Sequence, residues 1–149
     1  MERDGHLDNL SELLSLSTLT LATTNGEGEP HAAPVYFAAD ADLSFYFFSA
    51  PDSRHGQDLV RNPHAAAAFY PTCFGWQEIR GVQMYGMVYK VEAGAIWEKA
   101  WELYQAKFPF VAALRSEIVR NTLYVFTPSW IRLVDNRRGF GYKRDWTLA

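Results

Sequence analysis

A chain of 149 residues, 48% apolar and 21% charged, is one ordinary globular domain over 1–149, long enough for a real core and too short for two. A formal charge of −3 with a pI near 5.8 argues against general nucleic-acid binding, so any anionic ligand must be held by a local cluster of donors. The single cysteine, Cys73, excludes an internal disulfide, and no stretch reads as a membrane span or a signal peptide; a cytoplasmic protein without membrane contacts is expected.

Leu7, Leu10, Leu13 and Leu14 recur at helical spacing and predict a short amphipathic helix within residues 1–15, lying across a barrel end. Leu16 to Thr24 alternates in β-favouring residues and stops at Asn25-Gly26, a strand and hairpin turn. The return strand, His31 to Ala39, contains Pro34. Proline donates nothing to a ladder, so this strand has an edge or a bulge there, and a break around Pro34, Val35 and Tyr36 suits main-chain contact with a flat ligand. After a turn at Asp40 to Asp42, the apolar run Leu43 to Ser49 predicts a strand buried on both faces.

Pro51, Asp52 and Ser53 end that strand and cap a helix that begins with Arg54 and His55 and stops at Asn62-Pro63. A helix start offers unpaired N–H groups and partial positive charge, so a hydroxyl, a guanidinium and an imidazole placed there form a candidate phosphate seat. An ordinary capped helix with solvated side chains satisfies the same residues. His64 to Tyr70 is a small-residue strand, Pro71 to Gln77 a loop, and Glu78 to Val91 the longest strand, with Gly81 and Gly86 marking bends. Trp97, Trp101, Tyr104 and Phe108 then share one face of a helix over Ala95 to Lys107, an aromatic stripe assigned to the core. A second short helix is expected within Phe110 to Arg120. Strands at Thr122 to Thr127 and Trp130 to Val134, separated by Pro128-Ser129, precede a basic, glycine-containing tail. About seven strands, mostly joined by hairpins, predict a mainly β fold: an antiparallel barrel with peripheral helices.

The chemistry of single residues is sparse. His6, His31, His55 and His64 show no metal-ligand spacing, so no metal is expected, and Cys73 has no base placed beside it. NGEGEP matches neither a Rossmann nor a P-loop fingerprint. Arg137, Arg138, Lys143 and Arg144 read as a solvated basic tail. Four features nevertheless converge: the phosphate seat, the interrupted strand, the alanine-lined strand, and Gln83 on a glycine-kinked strand. A flat, phosphate-bearing redox cofactor would use all four, and the residues do not choose which one.

The hairpin TLATTNGEGEPHAAPVYF and the segment FYFFSAPDSRHGQDLVRNP with its alanine-rich continuation resemble the pyridoxamine 5′-phosphate oxidase-like FMN-binding split barrels. SRH, IRGVQMYG, KFP and DNRRGFGYK resemble the YhbP-like branch of that superfamily. The resemblance implies an antiparallel Greek-key split β-barrel of six to seven strands, acting as a homodimer with FMN in each of two clefts between subunits. Carried over by position, Ser49, Ser53, Arg54 and His55 hold the phosphate and ribityl chain, Pro34, Val35 and Tyr36 run beside the isoalloxazine, and Gln83 comes near the ring. The implied function is an FMN-dependent oxidoreductase with a small-molecule redox substrate, or a non-catalytic flavin or haem binding, storage or sensing protein. The parent oxidase activity is not implied, because its substrate-phosphate residues do not map onto this shorter chain. Relatives often carry lysine where this chain has His55, which exchanges a permanent charge for a titrating one and predicts weaker phosphate affinity as pH rises. The tail from Arg137 to Trp146 is expected to extend toward the partner's cleft.

Overall fold

The computed structural model describes residues 10–148, so Leu7 and His6 lie outside the described part. A first helix, α1 (residues 10–14), buries Leu10 and Leu13 in the main core. The strands are β1 (Thr18–Thr24), β2 (Pro30–Tyr36), β3 (Ala38–Ala39), β4 (Phe45–Ser49), β5 (His64–Phe69), β6 (Arg80–Lys90), β7 (Thr122–Asp135) and β8 (Lys143–Thr147). Helix α2 (Arg54–Arg61) joins β4 to β5; α3 (Ala95–Lys107) and the single turn α4 (Arg115–Ile118) join β6 to β7.

All pairings are antiparallel, in the order β2-β1-β5-β6-β7-β4-β3, with β8 added to β7. Strands β2 and β3 end this order on opposite sides, yet only Phe37 separates them in the chain. The sheet therefore curls until its two edges meet at one covalent corner, a split barrel. Phe37 is fully buried at that corner, where its N–H donates to Ser17 O at 3.1 Å and its ring packs with Phe45 and Phe69. These rings fill the barrel with Phe47, Tyr124, Phe126, Leu19, Leu21, Met84 and Ile131. The aromatic stripe of α3 forms a second, outer core. Trp101, Tyr104 and Phe108 are buried over Ala38, and Phe48 packs edge-on against Trp97, Trp101 and Tyr104.

Four elements differ from the sequence expectation, the first being the return strand His31 to Ala39, which the buried corner at Phe37 divides into β2 and β3. Strand β7 runs unbroken through Pro128-Ser129, which makes it the longest strand at 14 residues. The reason lies across the ladder, where the register shifts between Tyr85 and Gly86. A Cβ on Gly86 would stand 2.1 Å from Thr127 O and 2.7 Å from Pro128 Cα, so only glycine admits the kinked strand. The basic tail supplies the eighth strand, β8, which pairs with Trp130 to Val134. Its turn is organised by Asn136, whose side-chain oxygen accepts from Gly141 N at 2.9 Å, and by Gly141 in the left-handed region at φ 73°. The segment expected as one helix is a 3₁₀ turn, Pro109–Leu114, followed by α4.

Candidate functional site

Ser53 caps α2 in the expected way: its Oγ accepts from Gly56 N at 3.1 Å and donates to Ala50 O at 2.6 Å. Gly56 is pressed onto the preceding loop, since a Cβ there would lie 2.9 Å from Pro51 O and 3.1 Å from Ala50 O. With Gly56 N–H taken by Ser53 Oγ and Gln57 N–H by Ser53 O, the N–H groups of Arg54 and His55 are left at the helix start. The Arg54 side chain is exposed beside them. It also stands near enough to Glu29 to favour that carboxylate, which is held low first by the hydrogen bond from Asn25 Nδ2 at 3.1 Å.

His55 is buried, with Nε2 2.5 Å from Ser49 Oγ at the end of β4. On its other side the ring of His31, from β2, lies parallel at 6.2 Å and 10°. Burial pushes the His55 pKa below its ordinary 6.5, proximity to His31 pushes it further, and Asp58 one turn along α2 opposes both. The helix is docked on the β1–β2 hairpin by two side-chain bonds. Buried Thr23 donates from Oγ1 to Asp58 Oδ2 at 2.8 Å, and Asn62 Nδ2 donates to Thr24 Oγ1 at 3.1 Å. Ser49, Ser53, Arg54 and His55 thus come together at the start of α2. His31 joins them unannounced; only counting the hairpin register, in which His31 faces Thr23, would have found it.

Pro34 lies on β2, the edge strand, so its missing N–H leaves no ladder bond unmade. The bond from Phe37 N to Ser17 O continues the phase in which His31, Ala33 and Val35 exchange bonds with β1. The alternate residues Ala32, Pro34 and Tyr36 turn their main-chain groups to the open side. Val35 is therefore a core residue, 6% exposed, whose backbone belongs to the ladder, while Pro34 and Tyr36 are exposed. Tyr36 is braced by α3: Tyr104 Oη donates to Tyr36 O at 3.4 Å, and the Tyr36 ring stands edge-on to Phe108 at 5.6 Å.

Gln83 stands on the same outward face as Pro34. Successive registers place Pro34, Thr20, Ala68, Gln83, Arg132 and Asp145 in one row across five strand pairs. Three strand spacings, about 14 Å, separate Pro34 from Gln83. The floor between them is small and flat, with Thr20, Ala22, Ala66 and Ala68 pointing outward. Beyond it Tyr85 stacks on Trp130 at 5.1 Å, and Arg132 pairs with Asp145 in two bonds of 2.7 and 2.8 Å. Gln83 also borders a cleft of about 600 Å³ between β6 and the loop after β5, lined further by Tyr70, Cys73, Ile79, Arg80 and Gly81. The seat of α2 and the Gln83 cleft are two distinct places on one chain.

The expectation for the basic tail changes in one respect. Arg137 makes two 2.9 Å bonds to buried Asp135 and lies 3.7 Å from Glu12, so it is engaged within its own chain. Among the described residues there is no group of three potential metal ligands, and no helix is long and apolar enough to cross a membrane.

Residues 8–135 match the family described as pyridoxamine 5′-phosphate oxidase. The chain belongs to the pyridoxamine 5′-phosphate oxidase family. The UPF0306 protein plu4501 of Photorhabdus laumondii is 30% identical over 129 residues, 86% of this chain and 85% of that protein. The pyridoxine/pyridoxamine 5′-phosphate oxidase of Bordetella pertussis is 40% identical over 78 residues, 52% of this chain and 35% of that enzyme. The matched part is thus about a third of the length of the curated oxidases. HutZ, the haem storage protein of Vibrio cholerae, superposes with a TM-score of 0.70 at 17% identity, covering 81% of this chain and 88% of that one, and so shares the fold.

Proposed function

We propose that this member of the family is an FMN-binding flavoprotein, an oxidoreductase acting on a small molecule in the cytoplasm. The observation that carries the reading is the start of α2, where the N–H groups of Arg54 and His55, the Ser49–His55 pair, Ser53 and the Arg54 side chain converge. This set fits a phosphate monoester: the Arg54 and His55 N–H groups for its oxygens, a helix-end dipole and a guanidinium for its charge, with Ser53 shaping the cap and Ser49 holding the imidazole. The open edge at Pro34 and Tyr36 supplies main-chain groups and an aromatic ring for a planar ring system next to it. Bound FMN would supply hydride and electron transfer. The chain's own share is to hold the phosphate through Arg54 and α2, to fix the Pro34–Tyr36 edge through Tyr104 and Phe108, and to offer the Gln83 amide.

Gln83 reaches a ring at the Pro34 edge only if the ligand covers Thr20 and Ala68 or if a second copy brings its own Gln83. The small-residue floor flanked by the Tyr85–Trp130 stack favours a second copy, a homodimer with the cofactor cleft between subunits. The test is a titration of the purified protein with FMN, followed by flavin fluorescence and by the visible spectrum. Saturable quenching at one FMN per subunit, with Arg54→Ala losing most of the affinity at neutral pH, is the expected result. Unchanged affinity in Arg54→Ala would sink the assignment of the seat. A haem-binding role is the second reading, motivated by the shared fold of HutZ. A Soret band growing with added haemin, in a protein that leaves FMN fluorescence untouched, would favour it.

A further inference from the structure

His31 and His55 are the part of the seat that simple phosphate holding does not explain. A permanent cation would do that task, yet two imidazoles from separate elements lie face to face at 6.2 Å, one of them buried. The groups around His55 are Ser49 on β4, His31 on β2, Asp58 on its own helix and Arg54 beside it, with Glu29 across from Arg54. Asp58 accepts from Thr23, and among the described residues no carboxylate is hydrogen-bonded to either imidazole. Protonating both rings would set two like charges together in a desolvated place.

We propose that His31 and His55 form a proton-coupled phosphate clamp, in which binding of a phosphate monoester draws one proton from solvent onto the imidazole pair. The balance is simple: dianionic phosphate ester, one solvent proton and a neutral imidazole pair give the bound ester beside one imidazolium, and no covalent bond changes. The incoming dianion adds opposite charge to the partial compensation that Asp58 already gives His55. Burial and the facing His31 ring push the pKa of empty His55 below its ordinary 6.5, and a bound phosphate dianion pushes it the other way. His31, to which the resemblance assigns no role, becomes a binding residue in its own right.

For its cofactor this inference rests on the FMN reading, so two probes are used. With FMN, the dissociation constant is measured from about pH 7 to pH 8.5, and heats are compared in buffers of different ionisation enthalpy. Proton uptake predicts affinity that falls as pH rises, by at most about tenfold in all for a one-unit rise of the His55 midpoint, with riboflavin, which lacks the phosphate, showing no such dependence. His55→Lys carries its charge beforehand and flattens the slope; His31→Gln removes the facing ring, lets empty His55 hold its proton more readily and shrinks the uptake. With inorganic phosphate, imidazole proton resonances are titrated, and the His55 midpoint is expected to rise by about one unit. Saturable FMN binding with no proton uptake and a flat pH profile overturns the clamp and leaves the FMN reading standing. Absent FMN binding combined with a phosphate-induced rise of the midpoint removes FMN and keeps the clamp. Phosphate that leaves both midpoints unmoved overturns it.

Discussion

The seat depends on a helix of eight residues that is held to the barrel by few contacts, and Thr23→Val tests the most important of them. Thr23 is 1% exposed and Asp58 4%, and the 2.8 Å bond between them is the buried polar link from α2 to β1. Valine keeps the shape of threonine and the β preference of the strand but deletes the donor, leaving a buried carboxylate without its hydroxyl. A hydrogen bond to a charged group contributes about 1.5–3 kcal/mol, and an abandoned buried acceptor puts the loss toward the middle or top of that range. A loss of about 2 kcal/mol in a domain of this size lowers Tm by roughly 4–8 °C. In urea the midpoint falls by about 1 M with the slope unchanged, since an m-value near 2 kcal/mol per M is ordinary and the surface exposed on unfolding is the same. Thr23→Ser is the companion variant: it restores the donor, loses only a methyl group, and is expected to recover most of the stability. Because Leu59 and the Asn62–Thr24 bond remain, α2 stays docked in Thr23→Val, and the functional sign is a weakened FMN affinity on a folded protein. Thr23→Val within about 0.5 kcal/mol of wild type, or Thr23→Ser as damaging as Thr23→Val, would refute the reasoning.

The other expectations concern separate parts of the molecule. Gly86→Ala forces a methyl group against Thr127 O and is expected to cost about 3 kcal/mol or more in chemical denaturation, whereas Gly75→Ala, with open space around it, changes stability by under about 0.5 kcal/mol. Lys107 sits under the Phe37 corner, with Nζ 3.0 Å from Leu14 O, 2.6 Å from Leu16 O and 3.7 Å from the Phe37 ring centre. Burial lowers its pKa from 10.5 to about 8, although these contacts favour the ammonium and reduce the effect. Its contribution to stability is therefore full above pH 10.5 and lost as pH falls through 8, so wild type gains on Lys107→Met between pH 8 and 10; urea midpoints that differ by a constant amount would contradict this. Ala66→Arg plants a long cation on the exposed small-residue floor and is expected to convert a dimer into a folded monomer, read by light scattering and circular dichroism; a dimer of unchanged stability would place the interface elsewhere.

What the sequence made legible is local in the chain. The cap at Ser53, the positions of Arg54 and His55, the aromatic stripe of α3 and the edge character of Pro34 each follow from neighbours within a few residues. The structure reproduces them because tertiary contacts agree with those local preferences. The missed features are long-range. His31 meets His55 across 24 positions, through the register of a hairpin and the docking of a helix, and nothing in the string HAAPVY announces it. Pro128 breaks a strand by every local rule, and only Gly86, 42 positions away, shows why this strand continues. In β8 the alternation of half-buried Arg144 and Trp146 with exposed Lys143, Asp145 and Thr147 spans only five residues, too short to stand out from a charged tail.

The closure of the barrel links these observations to the site. Because β2 and β3 are one chain bent at Phe37, the edge that the sheet leaves open is also the segment that joins its two ends. An open edge invites pairing with another chain, and this one is blunted by Pro30 and Pro34 on its outward phase. The same prolines remove two donors but keep their carbonyls, so the outward edge is richer in acceptors than donors. A planar ring lying along it would have to offer its own N–H groups to those carbonyls, while the start of α2 presents the Arg54 and His55 N–H groups and the Arg54 guanidinium. The two ends of the candidate site thus ask for opposite hydrogen-bonding character, and a ligand with a donor-bearing ring and an anionic tail is the kind that satisfies both. His31 is the second residue of this strand and faces His55, the second residue of α2, so one ring of the imidazole pair and the open edge are carried by the same short strand.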